Sequence, residues 1–176
     1  VLHFNRWDLT KDCLASIDAQ DIPCTYEKVL VDNGSTYPHC VPYGRIELPS
    51  GWRLVRYEEN QGHIVGQNRC FESAQGEWVL FVANDVRLLP NMLMELMKYP
   101  QPILQPSLFT PERHLDNRGL LWVWPGYGVS TACHRPGTLT YSFSGSCYLM
   151  NKSVWICVGG FDERLETSHE DIDFCL

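Results

Sequence analysis

The first hundred residues alternate between short apolar runs and longer segments whose apolar side chains recur at helical spacing. The runs are rich in β-branched and aromatic residues, as strands are, and they lie at residues 1–4, 28–31, 54–57 and 78–82. The helical segments lie at residues 9–19, at residues 65–74 and after Pro90. Because strands that alternate with helices build largely parallel sheets covered on both faces, we expect an α/β fold.

Several residues are expected to mark the ends of these elements. Asp8 can cap the first helix, and Pro90 suits the first turn of the third. In the second half, residues 141–150 predict a strand, and Asn151 can cap a short helix that ends at Gly159. The chain contains no repeat, linker or low-complexity tract, so we expect one domain over residues 1–176.

The amino-acid composition and net charge limit which kinds of partner the chain can bind. Hydrophobic residues make up 44% of the 176 residues, and the formal net charge of −7 argues against nucleic acid as a partner. The eight cysteines include no Cys-x-x-Cys pair, which disfavours a zinc ribbon, and Cys70, Cys147 and Cys157 are predicted to be buried, reduced thiols. We expect a cytoplasmic protein truncated at both ends, with membrane association through missing segments as an alternative.

Polar residues follow several of the predicted strands directly. His3 and Phe4 come at the end of the first run, Asp32 and Asn33 follow the second, and Asn84 and Asp85 follow residues 78–82. In open parallel sheets, ligands bind beyond the carboxyl ends of the strands. These three groups therefore predict a binding site at one edge of the sheet.

Asp85 is the expected ligand of a divalent cation, since hard cations take carboxylate oxygens and complete their shell with substrate phosphates. Asp32 has two interpretations, because it either closes the turn at Gly34 or accepts hydrogen bonds from a base or ribose. Asn60 and Gly62 precede the start of a predicted helix. Either Asn60 caps this helix, or the exposed backbone N–H groups at its start attract an anion.

Four acidic residues crowd the end of the chain, at Glu166, Glu170, Asp171 and Asp173. One interpretation is that Ser168 caps a helix, which would explain some of these residues as acids in its first turn. The other interpretation is a general base, since neighbouring carboxylates raise one another's pKa.

With these residues in hand, the chain resembles the family 2 glycosyltransferases, in particular their rhamnosyltransferase-like members. The matching blocks occur in order over essentially the whole chain: Val31-Asp32-Asn33-Gly34-Ser35, Asn60-Gln61-Gly62, Gly66-Gln67-Asn68, Asn84-Asp85-Val86, Gly159-Gly160-Phe161-Asp162-Glu163 and Glu170-Asp171-Ile172-Asp173. Two departures are that the segment Asn84-Asp85-Val86 lacks the first acidic residue of the Asp-x-Asp that the family often carries, and that His3 stands where an Asn is frequent.

The resemblance implies a GT-A fold, which is a Rossmann-like open mixed sheet flanked by helices. It implies an inverting hexosyl transfer from a nucleotide-diphosphate sugar to a glycan or lipid-linked saccharide, with Mg²⁺ or Mn²⁺, in polysaccharide or cell-wall biosynthesis. Asp32 would contact the nucleoside, Asp85 would hold the metal, and Asp171 would be the general base. Residues 1–100 would form the nucleotide-binding half and residues 101–176 the acceptor-side half.

Other residues are assigned by the same resemblance. The donor-binding candidates are Phe4, Asp32, Asn33, Asn60, Gly62, Asn68 and Asn84. The acceptor-side candidates are Gly145, Asp162, Glu170 and Trp124.

Two other functions stay open. A sugar-phosphate nucleotidylyltransferase is disfavoured because no glycine follows the first strand at residues 4–7. A non-catalytic carbohydrate-binding module would use Trp122, Trp124 and Tyr127, whose rings either stack on a sugar or pack beneath a loop.

Overall fold

The computed structural model describes residues 1–22, 24–36, 47–117, 120–123, 127–130, 139–140, 142–165 and 169–176. The strands of these residues are β1 (Leu2–His3), β2 (Lys28–Asn33), β3 (Trp52–Tyr57), β4 (Trp78–Val82), β5 (Ile103–Leu104), β6 (Leu108–Phe109), β7 (Leu115–Asn117), β8 (Leu120–Val123), β9 (Tyr127–Ser130) and β10 (Cys147–Asn151). Their helices are α1 (Trp7–Asp18), α2 (His63–Ser73), α3 (Met92–Leu96), α4 (Lys152–Val158) and α5 (Glu170–Asp173), with a 3₁₀ turn at Glu163–Leu165.

The main sheet is open and mixed. β1, β2 and β3 pair in parallel, whereas β10 lies antiparallel between β4 and β5. A single parallel bridge from Leu2 to Ala83 joins the two groups, so the strand order is β3-β2-β1-β4-β10-β5. This confirms the expected α/β sheet, and two small hairpins, β6–β7 and β8–β9, lie outside it.

Helices cover both faces of the main sheet, as the alternating pattern predicts. Successive side chains of a strand point to opposite faces. Val79 and Phe81 of β4 therefore pack with α2, while Leu80 and Val82 pack with α1 and α3. The single domain thus has three layers, with a core on each side of the sheet.

The core beneath α2 is mostly aromatic. Phe71 stacks on Tyr148 with ring centroids 6.1 Å apart, and Tyr148 stacks on Phe81 at 5.1 Å. Phe143 and Phe161 pack against the same tyrosine. Each such pair contributes about 0.5–1.5 kcal/mol beyond the burial of its area. This cluster joins α2, β4, β10 and the segment after α4.

Two helix starts differ from the prediction. α1 begins at Trp7 and its N-cap is Arg6, which has φ 46° and makes no side-chain cap, while Asp8 pairs with the Arg6 guanidinium instead. α3 begins at Met92, so Pro90 lies before the helix and before its N-cap Asn91. In both cases a left-handed residue turns the chain into the helix, so no side-chain cap or proline is needed.

The strand predicted at residues 141–150 is shorter, because β10 begins only at Cys147. Upstream of it, the Ser144 amide donates to the Gln105 side chain and the Gly145 amide donates to Asp171, so these amides do not join the ladder. The prediction for α4 is confirmed: the Asn151 side chain accepts from the Ser153 amide, and the helix ends at Gly159.

The described cysteines are free thiols, namely Cys13, Cys24, Cys70, Cys147, Cys157 and Cys175. Burial raises the pKa of Cys70 to about 11 and that of Cys147 to about 12, which confirms the prediction of buried thiols there. The same prediction for Cys157 is wrong, since that residue is exposed on α4. No helix among the described residues is long and apolar enough to cross a membrane.

A cavity of about 530 Å³ opens at the amino ends of β2, β3 and β4. β1 pairs with β2 only at Leu2 and His3, so within the described residues no strand lies between the amino halves of β2 and β4. The cavity is mostly apolar and lies at the opposite end of the strands from the polar residues predicted to form the site.

Gly34 and Gly159 offer a matched test of a close backbone approach. Both have positive φ, at +76° and +91°, but a Cβ at Gly34 would lie 2.2 Å from the backbone carbon of Glu59, whereas one at Gly159 meets nothing within 4 Å. We expect Gly159→Ala to lower the free energy of unfolding by about 1–2 kcal/mol. Gly34→Ala should cost about 1–3 kcal/mol more. If urea titrations give the two variants equal losses in the free energy of unfolding, the backbone of the turn after β2 does not approach the backbone before α2 this closely.

Candidate active site

The polar groups predicted at three strand ends lie side by side. His3 at the end of β1 pairs with Asp32 of β2, and Leu2 bridges to Ala83, directly before Asn84. The Thr10 hydroxyl lies 2.7 Å from His3 Nδ1 and accepts a hydrogen bond of 3.0 Å from Asn84 Nδ2. Thr10 was not predicted, and its only signal is a polar residue next to the apolar face of α1.

Asp32 combines both interpretations of its sequence. Its Oδ1 accepts from the Ser35 amide at 2.9 Å, which closes the turn at Gly34. Its buried Oδ2 has no hydrogen bond from a described residue and lies 3.5 Å from Nε of Arg56, its neighbour on β3. One carboxylate oxygen is therefore structural, and the other is left with a cation beside it.

His3 lies in the same row across the sheet as Asp32 and Arg56. It is fully buried, and its Nε2 has no hydrogen-bond partner. Burial lowers the pKa of His3, with the Asp32 charge opposing and the Arg56 charge adding to the effect. The imidazole is therefore neutral near pH 7.

The side chain of Asn33 holds the loop before α2 against β2. Its Nδ2 donates to Asn60 Oδ1 at 3.0 Å and to the Gly62 carbonyl at 2.9 Å, and its Oδ1 accepts from the Gln61 amide at 3.2 Å. Asn60 Oδ1 also accepts from the Gly62 amide. These contacts favour a structural role for Asn33, whereas Asn60 and Gln61 are exposed.

Asn68 is tied to the segment that follows α4. Its Oδ1 accepts from the Phe161 amide at 2.9 Å and from Trp155 Nε1 at 3.3 Å. Its Nδ2 donates to the Phe161 carbonyl and to Glu163, both at 3.0 Å. Its amide is thus fully used within the protein, which leaves no hydrogen-bonding capacity for a ligand.

Asp85 is exposed beyond the end of β4 and makes no hydrogen bond or ion pair with any described residue. Arg87, two residues later, pairs with Asp12 on α1. The described residues contain no group of three or more His, Cys, Asp or Glu side chains that could hold a metal. Asp85 nevertheless fits a hard cation that takes one protein carboxylate and completes its shell with phosphate and water oxygens.

Asp171 and Glu170 lie at the start of α5. Asp171 is partly buried and accepts from the Gly145 amide at 3.3 Å and from the Ile172 amide at 2.8 Å. Burial, followed by the Glu170 charge, raises its pKa, and these two amides oppose the shift. The alternative that Ser168 caps this helix lies outside the described residues, and the N-cap is His169 without a side-chain cap. The geometry leaves Asp171 a stronger proton acceptor than an ordinary aspartate.

Glu170 is held by Gln67, which was not predicted, and Gln67 is held in turn by Tyr148. Gln67 Nε2 donates to Glu170 Oε1 at 2.7 Å, and the Tyr148 hydroxyl donates to Gln67 Oε1 at 2.8 Å. His63 Nε2 lies 3.8 Å from the same carboxylate oxygen. Gln67 carries only a weak sequence signal, which is a polar residue on the buried side of a predicted helix.

Asp85 and Asp171 flank the same end of the sheet. The Ala83 amide donates to the Ser146 carbonyl at 2.8 Å, so β4 and β10 are bonded two residues before Asp85. The Gly145 amide, one residue from Ser146, donates to Asp171. Backbone contacts therefore connect the two carboxylates along a short path at this edge.

The acceptor-side candidates do not lie together as one group in the structure. Gly145 and Glu170 touch, since a Cβ at Gly145 would lie 2.6 Å from Glu170 Oε1. Asp162 instead closes its own turn: it accepts from the amide and guanidinium of Arg164, which lowers the pKa of Asp162 to about 2. Trp124 lies outside the described residues.

Comparison with known proteins identifies one family whose model matches this chain and several proteins that are similar to it. The model of the family described as Glycosyl transferase family 2 matches residues 1–154. The chain is 27% identical over 192 residues to the O-antigen biosynthesis protein RfbC of Myxococcus xanthus, a match that covers 98% of this chain and 15% of RfbC.

Solved structures of similar fold cover nearly the whole chain. TarS 1–349 of S. aureus in complex with UDP has a TM-score of 0.68 and 19% identity, over 99% of this chain and 52% of that one. GalNAc-T7 with UDP, GalNAc and Mn²⁺ has a TM-score of 0.74 and 14% identity, over 99% of this chain and 38% of that one. These similarities confirm the GT-A fold.

The hydrogen bonds of the Asn68 side chain are expected to stabilise the fold. Asn68→Ala removes the partners of the Phe161 amide and of Trp155, so we expect a loss of about 2–4 kcal/mol in the free energy of unfolding. Asn84→Ala, the control, removes one hydrogen bond to Thr10 and should cost about 0.5–1.5 kcal/mol. Equal urea midpoints for the two variants would contradict a tethering role for Asn68.

Proposed function

Because the chain belongs to glycosyl transferase family 2, we propose that the full-length protein transfers a sugar from a nucleotide-diphosphate sugar to a hydroxyl group of a glycan or lipid-linked saccharide. The observation that carries the proposal is that Asp85 and Asp171, a free carboxylate and a proton acceptor, flank one end of the sheet. The UDP in the TarS structure, and the UDP and Mn²⁺ in that of GalNAc-T7, support a nucleotide-sugar donor and a divalent metal.

In this proposal the nucleoside lies over the ends of β1 and β2. Phe4 at this edge has 40% of its surface exposed, which offers a ring for stacking. Asp32 holds the adjacent turn through Ser35 and retains an oxygen without a hydrogen bond. We keep both as donor contacts, together with Asn60, Gly62 and Asn84 around the diphosphate. The amides of Asn33 and Asn68 support the loops instead of binding donor.

Asp85 would hold the divalent cation, Mg²⁺ or Mn²⁺, which supplies Lewis-acid stabilisation of the negative charge on the leaving diphosphate. The exposure of Asp85 leaves its oxygens accessible, and Asn84, held by Thr10, fixes the backbone just before it. With one protein carboxylate, the site binds metal weakly until the diphosphate arrives.

Asp171 acts as the general base. Its carboxylate takes the proton of the acceptor hydroxyl while that oxygen attacks the anomeric carbon, and the bond from this carbon to the diphosphate oxygen breaks. Attack from the face opposite the leaving group inverts the anomeric centre. General-base catalysis of this kind contributes about 10²–10⁴-fold to the rate.

The two halves of the domain divide these tasks. Residues 1–100 supply Phe4, Asp32 and Asp85 for the donor, and residues 101–176 supply Gly145 and Asp171 on the acceptor side. An acceptor in polysaccharide or cell-wall synthesis is supported by the similarity to RfbC, which is named for O-antigen biosynthesis. A rhamnosyl donor is supported by the resemblance of the sequence blocks alone.

Family membership favours transfer over the two alternatives. A nucleotidylyltransferase has no observation here in its support. The side chains on which the carbohydrate-binding alternative depends, those of Trp122, Trp124 and Tyr127, lie outside the described part of the structure.

Replacing the base tests the reaction. We expect Asp171→Asn to lower kcat about 10²–10⁴-fold while it still binds nucleoside diphosphate, measured as release of nucleoside diphosphate from UDP-glucose, UDP-N-acetylglucosamine, GDP-mannose and dTDP-rhamnose. Because the active form is the carboxylate and its pKa is raised above 3.8, wild-type kcat should fall as the pH drops through that higher value. Asp173→Asn, an exposed neighbour on α5, should leave kcat unchanged. Normal turnover by Asp171→Asn would refute the assignment.

Replacing the metal-binding carboxylate tests the donor site. We expect UDP to raise the melting temperature of the wild-type protein more strongly with Mn²⁺ than with EDTA, because phosphate oxygens complete the metal shell. Asp85→Asn should lose this metal-dependent increase. Asp12→Asn, an exposed carboxylate on α1 that pairs with Arg87, should retain it. An unchanged response in Asp85→Asn would place the metal elsewhere.

A further inference from the structure

A chain of hydrogen bonds between buried side chains joins three elements beneath the candidate base. Tyr148 on β10 and Gln67 on α2 are fully buried, and Glu170 on α5 is 5% exposed. The Gln67 side chain lies between the other two, at 2.8 Å from the Tyr148 hydroxyl and 2.7 Å from Glu170 Oε1. Gln67 and Glu170 are 103 residues apart in sequence, so only the fold brings them together.

The direction of this chain is set by its members. An ionised carboxylate only accepts hydrogen bonds, so Gln67 must turn its NH₂ group to Glu170 and its carbonyl to Tyr148. Burial raises the pKa of Tyr148 well above its ordinary value, so its hydroxyl keeps its proton and donates. The amide of Gln67 is therefore held at both ends, and it fixes the Glu170 carboxylate in one place.

The position of Glu170 determines that of Asp171. Gly145 fits between the two carboxylates: its amide donates to Asp171 Oδ2 at 3.3 Å, and a Cβ at this residue would lie 2.6 Å from Glu170 Oε1. A shift of the Glu170 side chain would push on Gly145 and move the donor that orients Asp171. Charge-assisted hydrogen bonds such as Gln67 to Glu170 are about twice as strong as neutral ones.

We infer that Gln67 is a positioning residue for the transfer reaction, which seats the Glu170 carboxylate against Gly145 and thereby orients Asp171 towards the acceptor hydroxyl. This inference rests on the proposed function, because it assigns Gln67 a role in that same reaction. Gln67 acts through Glu170 and Gly145.

The charged and titratable groups around Asp171 and its neighbour Glu170 come from three elements. Glu170 and Cys175 belong to α5 and the residues after it, Tyr148 to β10, and His63 to α2. Burial raises the pKa of Cys175, so its thiol is neutral near pH 7. Glu170 is thus the anionic neighbour of Asp171, and Gln67 is the donor that keeps it in place.

The first variant removes the amide and retains the size of the side chain. In the full-length protein, we expect Gln67→Met to lower kcat about 10- to 100-fold, since a misplacement of about 1 Å can cost this much. The KM for whichever sugar nucleotide of the UDP, GDP and dTDP panel is turned over should stay unchanged. Ile64→Val, the control, removes one methylene from a fully buried residue on the same helix and should keep the wild-type kcat.

The second variant gives a signature that a loss of packing cannot produce. In Gln67→Glu, the new carboxyl group donates an O–H to Glu170 while it is protonated, and it repels Glu170 once it ionises. We therefore expect this variant to lose kcat as the pH rises, in a range where wild-type kcat is constant. It also decides the question if Gln67→Met does not fold.

Wild-type kcat in Gln67→Met, or a wild-type pH profile in Gln67→Glu, overturns the inference. In either case an inactive Asp171→Asn leaves the proposed function standing. If wild-type protein and Asp171→Asn turn over equally, the assignment of Asp171 as the base fails and the role of Gln67 fails with it. If the wild-type protein turns over no donor of the panel, the proposed function itself fails.

Discussion

β4 is bonded on both sides at its carboxyl end, and this pairing controls where the candidate active site lies. Ala83 bridges to Leu2 of β1 on one side and donates to Ser146 before β10 on the other. β1 runs parallel to β4, and β10 runs antiparallel to it. The carboxyl ends of β1 and β4, from the first half of the chain, therefore meet the amino end of β10, from the second half. The sheet thus places residues from the first hundred positions beside residues from the second half of the chain.

The polar residues at this edge fall into two groups, and hydrogen-bond saturation separates them. Asn33, Asn68 and Asp162 use their side chains to hold loops, since a buried polar atom without a partner is costly. Among the described residues, Asp85 and one oxygen of Asp32 have no hydrogen-bond partner, and Asp171 accepts from the backbone amides of Gly145 and Ile172. The proposed reaction assigns its donor, metal and base roles to the residues of the second group.

Local patterns predicted most of the fold. The apolar runs and helical spacing in residues 1–100 have the correct order, because the two faces of a sheet demand a period of two and a helix a period near 3.6. The errors lie at boundaries such as Asp8, Pro90 and residues 141–146, where the backbone turns through left-handed residues or bonds to a distant side chain. A pattern based on neighbouring residues carries no information about such partners.

The sequence by itself determined that this chain forms an α/β sheet, that it belongs to its family, and that Asn84 and Asp85 follow a strand, because each of these depends on residues close together in the chain. Asp32, which was expected to follow the second strand, lies within β2 and pairs with Arg56. Only the tertiary structure decided which polar side chains remain available and which are used to hold the fold. Gln67, Tyr148 and Glu170 illustrate the reason: their bonds join α2, β10 and α5 over separations of 81 and 103 residues. Whether a polar group is satisfied depends on what folding brings next to it.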